Sequence, residues 1–110
     1  MPRPIAHPQP DDISVAAILH ALADPVRASI VRELLAAPNG MNCTQMTARL
    51  DAQLPKSTCS QHYRILREAG VIVSERRGVE LFSRVRDREL AARFPGLLQS
   101  ILKAYDRESA

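Results

Sequence analysis

Between residues 24 and 70 the helix start and stop signals lie so close together that only short helices joined by tight connectors can be drawn through them. Asp24 and Pro25 open one helix, a cap followed by proline at the first helical position, and Pro38, Asn39 and Gly40 close it. Asn42 and Gln45 have the reciprocal cap spacing that opens a second, expected to run to about Asp51. A third follows the connector "AQLP" and stops at Gly70. Helices this short do not stand alone in water, so each must bury an apolar face against its neighbours. Val26, Ile30, Val31, Leu34 and Leu35 supply that face in the first, and Met46 with Leu50 in the second. In the third, Cys59, Tyr63 and Leu66 form it, with Ile65 and Ala69 beside them.

The third helix opens oddly. Ser57, Thr58, Cys59 and Ser60 are poor residues for a helix interior, and its outer face carries Ser57, Thr58, Ser60, Gln61, Arg64 and Arg67. Short hydroxyl side chains let a helix N-terminus come close to a phosphate, with the dipole favouring the anion. Gln61 has the geometry for a bidentate contact to adenine, and Arg64 reaches guanine or phosphate. Two short helices in succession, the second presenting such a face, read as a helix-turn-helix.

"VIVSERRGVELFSRVR" follows at once and reads as a β-hairpin, with a small basic tip at Arg76, Arg77 and Gly78 suited to a phosphate backbone or a minor groove. Asp87 then caps a last helix whose apolar stripe runs through Leu90, Phe94, Leu97, Leu98, Ile101, Leu102 and Tyr105, with Pro95 expected to kink or split it. Upstream, Ile13, Ala16, Ala17, Leu19, Ala21 and Leu22 recur at helical spacing, with Asp11 or Asp12 available as the cap. Residues 1–10 hold four prolines and read as a flexible arm, leaving 11–107 as a single domain.

A chain of 110 residues, with 45% hydrophobic residues, 4% aromatic and no Trp, has room for one core, built of Leu, Ile, Val and Ala. That suits packed helices. So small a core leaves little inside surface for both the first helix and the last, and a second copy of the chain is the expected cover. Two copies would set two reading helices about 34 Å apart on a two-fold symmetric site.

The net charge of +3 is unevenly spread. Lys56 to Arg88 holds eight basic residues (Lys56, Arg64, Arg67, Arg76, Arg77, Arg84, Arg86, Arg88) against four acidic ones, while the remainder holds seven against eight. All the excess positive charge lies in the reading helix and the hairpin, which points to a polyanion partner. No apolar run approaches the roughly 20 residues of a membrane helix, and "MPRPIAHPQPDD" lacks the apolar centre of a secretory signal. The expected setting is the cytoplasm, with Cys43 and Cys59 as thiols.

In this order, "LADPVRASIVRELL" and "PKSTCSQHYRILREAGVIVSERRG" resemble two blocks of the ArsR/SmtB family of bacterial winged helix-turn-helix repressors. The resemblance covers Ile13 to Leu102 and includes Asp24, Pro25 and Arg27, the Ser-x-x-His pattern within Ser57 to His62, and Leu66 through Gly70. It implies a mainly α fold with a β-hairpin wing, in the order α-α-α-α-β-β-α. The activity implied is that of a homodimeric repressor, bound to double-stranded DNA and released by an inducer. Its DNA contacts would fall on Lys56, Ser57, Thr58, Ser60, Gln61, His62, Arg64 and Arg67, and on the wing at Arg76 and Arg77. Its dimer interface would fall on the first and last helices, at Ile13, Ile18, Leu19, Leu97, Leu98, Ile101, Leu102 and Tyr105.

Many relatives of that kind respond to metals through ligands this chain does not carry. The places of a Cys-x-Cys at the start of the second of the three short helices hold Asn42 and Thr44, with Cys43 between them, and no His lies between Asp87 and Ala110. No metal and no cofactor is therefore expected. A small-molecule or redox inducer stays open, with Cys43 and Cys59 as the candidate redox pair and, as the plainer reading of Cys59, a small hydrophobe under the helix. No glycine-rich phosphate loop and no His–carboxylate pair beside a nucleophile suggests an enzyme. A winged helix can also serve as a protein-interaction module, but the polar and basic reading face favours DNA.

Overall fold

The computed structural model describes residues 5–50 and 54–109. The chain folds into α1 (Val15–Leu22), α2 (Pro25–Leu35), α3 (Cys43–Arg49), α4 (Lys56–Glu68), a hairpin of β1 (Ile72–Arg77) and β2 (Glu80–Val85), then α5 (Asp87–Arg93) and α6 (Leu97–Ser109). This is a winged helix-turn-helix. The order matches the expected one except at the end, where the single last helix is two. Phe94 precedes Pro95 and is pushed out of the helical region (φ −133, ψ 71), which ends α5 before α6 begins at Leu97.

The local signals between residues 24 and 70 act as read. Asp24 Oδ1 accepts from the amides of Val26 at 2.8 Å and Arg27 at 3.2 Å. Asn42 and Gln45 form the full capping box, the Gln45 amide donating to Asn42 Oδ1 at 2.8 Å and the Asn42 amide to Gln45 Oε1 at 2.9 Å. α3 ends at Arg49; the expected end near Asp51 lies outside the described residues. α4 stops in a Schellman turn, with the Val71 amide donating to the Leu66 carbonyl and the Gly70 amide to that of Arg67.

α1 begins later than expected. Asp11 and Asp12 belong to a short 3₁₀ turn, and Ser14 is the cap, its Oγ accepting from the Ala17 amide at 3.1 Å. The reason is Ile13, which is buried and extended between the two (φ −75, ψ 125). Its side chain fills the space beside Gly70: a Cβ built on Gly70, which has φ +85, would meet Ile13 Cγ1 at 2.5 Å.

The core lies where α1, α2, α3, α4 and α6 meet the root of the hairpin. Ile18, Leu22, Ile30, Val31, Leu34, Met46, Leu66, Val71 and Ile72 have almost no exposed surface. α6 folds back on α2, through buried Leu98 and Leu102 and an Arg32–Asp106 ion pair at 2.8 Å, and on the end of α1, where the Tyr105 hydroxyl donates to the Leu22 carbonyl. The core therefore takes more of the last helix than its size suggested. Ile13, Ile18, Leu98 and Leu102 are internal, while Val15 and Leu19 are exposed on α1, and Leu97, Ile101 and Tyr105 are half-buried on or beside α6.

The hairpin is antiparallel, with Ser74 paired to Ser83 and Arg77 to Glu80, so the loop is Gly78 and Val79 alone. Arg76 and Arg77 are strand residues rather than its tip. The buried Ser74 and Ser83 hydroxyls lie 2.7 Å apart across the sheet, and Met41 extends the pairing on the far edge by exchanging two backbone hydrogen bonds with Ser83.

The expected flexible arm is, over residues 5–10, laid along the domain. The Ser74 amide, on the free edge of β1, donates to His7 Nε2 at 3.0 Å. Arg86, buried and bidentate to Glu89, also donates to the Pro8 carbonyl at 2.9 Å, and Arg93 donates to those of Pro10 and Ile13. Prolines exclude a helix there but leave carbonyls free for arginine, which local periodicity does not register.

Two outcomes follow. Gly70→Ala combines a left-handed backbone with a clash on Ile13 and should cost about 2–4 kcal/mol of stability; Gly78→Ala, with nothing within 4 Å of its added Cβ, should cost about 1 kcal/mol. Urea unfolding of both compares them, and equal losses would contradict the Ile13 packing. His7 is held below its ordinary pKa, by burial first and then by Arg86 and Arg67. The neutral ring accepts from Ser74, so its contribution is full above pH about 6.5 and fades as the pH falls through the lowered pKa. The stability gap between the native chain and His7→Ala should therefore narrow between about pH 7.5 and about pH 5.5, and a widening gap would refute the latch.

Candidate nucleic-acid interface

α4 carries its two kinds of residue on two faces because its polar positions interrupt a stripe of period 3.6. Cys59, Tyr63 and Leu66 are buried, and the Tyr63 hydroxyl donates to the Met41 carbonyl at 3.1 Å, fixing α4 to the start of α3. Ser57, Thr58, Ser60, Gln61 and Arg64 are exposed on the other face. Pro55 precedes the first turn and supplies no side-chain cap, so the leading amides of α4 have no side-chain acceptor from that position.

The hairpin stands beside this face. Between them is an open cleft of about 530 Å³, lined on the helix side by Lys56, Ser60, Gln61, Tyr63, Arg64 and Arg67, and on the wing side by Arg76, Val79, Glu80 and Leu81, with Cys43 at its base. Four cations and one carboxylate share it, so its potential is positive. Lys56 Nζ and Glu80 Oε1 lie 3.4 Å apart across the cleft, an exposed pair of small energetic weight. Arg67 is half-buried and donates to Ser74 Oγ at 3.4 Å, tying the end of α4 to the wing.

The ten positions expected on the interface are thus not equivalent. Lys56, Ser60, Gln61, Arg64, Arg67 and Arg76 converge on the cleft, and Ser57 and Thr58 are exposed on the first turn beside it. His62 and Arg77 go elsewhere. The His62 ring is half-buried against α2, its Nδ1 3.4 Å from Arg27 Nη1; burial lowers its pKa, with the Asp24 charge opposing the shift and that of Arg27 adding to it. As arginine can only donate, His62 accepts there and is neutral. The Arg77 guanidinium donates to Glu75 at 2.6 Å and to the Asn39 carbonyl at 2.9 Å, and sits 4.6 Å from the centre of the Phe82 ring. It fastens the wing to the α2–α3 connector.

Sequence reading missed Val79, which at 92% exposed is the outermost apolar side chain of the wing, and Glu80, which partners Lys56. The signal was present: with a two-residue loop, strand alternation places Arg76 with Ile72 and Ser74 on one face and Arg77 with Val73 and Glu75 on the other. Among the described residues no three His, Cys, Asp or Glu side chains converge as metal ligands would, and no helix is long and apolar enough to cross a membrane.

Comparison with known proteins agrees with this fold. The model of a family described as a helix-turn-helix domain matches residues 22–75, which run from the end of α1 into β1. The HTH-type transcriptional repressor SmtB of Mycobacterium tuberculosis is 40% identical in an alignment of 87 positions that covers 76% of this chain and 61% of that protein. The chain thus spans about three fifths of that relative's length. An uncharacterized HTH-type transcriptional regulator, YceK of Bacillus subtilis, is 28% identical over 84% of this chain and 91% of its own. Among solved structures, an ArsR-like transcriptional regulator from Rhodococcus sp. RHA1 superposes with a TM-score of 0.62 at 26% identity, covering 84% of this chain and 83% of that one. Together with the winged helix-turn-helix fold, these likenesses support an ArsR/SmtB-family helix-turn-helix transcriptional regulator.

Proposed function

We propose that the chain binds a two-fold symmetric operator in double-stranded DNA as a homodimer and represses transcription from it, leaving when an inducer binds. The observation that carries the DNA reading is the cleft, where Lys56, Arg64, Arg67 and Arg76 converge beside a helix whose N-terminal end exposes the short polar side chains of Ser57, Thr58 and Ser60. In this reading α4 enters the major groove, with Gln61 and Arg64 toward base edges and Ser57, Thr58 and Ser60 toward phosphates. Arg76 follows the backbone toward the minor groove while Arg77 holds the hairpin in place. The second copy covers Val15 and Leu19 on α1 and the half-buried Leu97, Ile101 and Tyr105, an apolar surface that monomers seldom leave open.

The inducer in this reading is not zinc, cadmium or arsenite, because Asn42 and Thr44 stand where the resemblance places thiolates and the last helix has no His. The location is the cytoplasm, where operator DNA is. A protein-interaction role is the reading this one displaces: a protein-binding face would carry aromatic anchors, and the exposed face of α4 has none.

The test is binding to the duplex upstream of the chain's own gene, titrated against salt. The native chain should bind at nanomolar concentrations, on the order of 10³-fold or more tighter than to a random duplex. Arg64→Ala with Arg76→Ala should weaken binding to both and lower the slope of log affinity against log salt by about one for each phosphate no longer neutralised. Weak binding that ignores sequence and both substitutions would move the interaction-module reading to first place.

A further inference from the structure

Ser74 is held from three sides. Across the hairpin its hydroxyl lies 2.7 Å from that of Ser83, whose backbone Met41 pairs from the far edge. From α4, Arg67 donates to Ser74 Oγ at 3.4 Å, and from the N-terminal arm His7 Nε2 accepts from the Ser74 amide at 3.0 Å. These contacts share one level, the root of the wing, so the sheet is closed there on both edges, by Met41 on β2 and by the arm on β1. Arg86 on the Pro8 carbonyl and Arg93 on that of Pro10 keep the arm in place. Arg76, the cation that the wing gives to the cleft, stands two residues beyond Ser74 on the same face of β1, about 7 Å along the strand. His7 itself lies outside the cleft. Water can satisfy an edge amide, so the fold alone does not call for an imidazole at this point.

We propose that His7 is a positioning residue for DNA binding: docked on Ser74, it fixes the root of the wing against α4 and with it the place of Arg76 in the cleft. The effect on DNA rests on the DNA-binding reading above. Only the neutral ring can dock, because the Ser74 amide donates and an imidazolium has no lone pair to receive it. The charges around the ring favour that form. Arg67 faces it from α4 and Arg86 from the junction of β2 and α5; Glu89 of α5 is engaged by Arg86, Arg93 of α5 is spent on carbonyls, and Glu75, next to Ser74 on β1, is paired with Arg77. Burial and the two arginines hold the His7 pKa below its ordinary value, so the brace is complete above about pH 6.5 and is lost as the pH falls through the lowered pKa. Acid therefore weakens DNA binding through His7. A new positive charge that touched phosphate would do the reverse, so the sign of the pH dependence separates a brace from a contact.

The experiment measures the affinity of the full chain for the duplex upstream of its gene, at one salt concentration, for the native, His7→Ala and His7→Gln proteins, each checked for fold by circular dichroism. At about pH 7.5, where the native ring is neutral, His7→Ala should bind roughly 3–10-fold more weakly than the native chain. His7→Gln, whose Oε1 accepts without titrating, should stay within about twofold of native. At about pH 5.5 the native chain should fall below His7→Gln by roughly the factor that separates it from His7→Ala at the higher pH; His62 titrates alike in all three proteins and cancels from the comparison. Equal binding by His7→Ala and native at the higher pH overturns the brace, as does a His7→Gln protein as weak as His7→Ala. A native chain that gains on His7→Gln in acid makes His7 a phosphate contact instead. If the native chain binds no duplex, the DNA-binding reading has failed, and the amide resonances of the free chain decide the rest. His7→Ala should shift those of Arg76, Gly78 and Val79 while His7→Gln leaves them in place, and a wing unmoved in His7→Ala overturns the positioning itself.

Discussion

Ile13 lies against Gly70, and the fit leaves no space for a Cβ. Much else hangs on it. Gly70 has a left-handed backbone, which ends α4 and sends the chain straight into the wing: the Val71 amide turns back to Leu66, and the Val71 carbonyl accepts from the Arg86 amide at the far end of the hairpin. The direction of the wing relative to α4 is therefore set at one residue. Ile13, held in that notch, also forces the chain to extend before Ser14, so the start of α1 is fixed by the end of α4. Arg93 then reaches the Ile13 carbonyl and joins α5 to the same point. A backbone conformation open to glycine and one branched side chain together settle the angle of the cleft.

What was legible in the sequence was what local chemistry decides. Asp24, Pro25, Asn42, Gln45 and Gly70 each act within a few residues of themselves, so their helices begin and end where the residues say. The buried stripe of α4 was legible for the same reason, as period alone places Cys59, Tyr63 and Leu66 together. What escaped was set by interactions between residues distant along the chain. Ser14 replaced Asp11 and Asp12 as a cap because of Gly70, at the far end of α4. The arm lies on the domain because of Arg86 and Arg93, and no periodicity in residues 5–10 signals an acceptor for an arginine. The two arginines of the wing were separable only through the hairpin register, which needs the loop length first.

The interface shows how one basic run divides its labour. Arg64 and Arg76 face the cleft and remain unpaired among the described residues, Arg67 spans from α4 to the wing, and Arg77 holds the wing to the body. Charge count along the sequence treats them alike; burial and partners do not. The same holds for the histidines: His62 sits against Arg27 and His7 against β1, and burial lowers the pKa of each.

The arm and α5 also bear on how the chain assembles itself. The bonds from Arg86 to Pro8 and from Arg93 to Pro10 and Ile13 join residues 78, 83 and 80 positions apart. Those loops close only once the helices and the hairpin between them have condensed, because the entropy of bringing such distant residues together is otherwise uncompensated. Residues 8–13 are thus among the last to find their place. Their region, held by a handful of hydrogen bonds to carbonyls and one imidazole, is also the first to open when the rest of the domain stays folded.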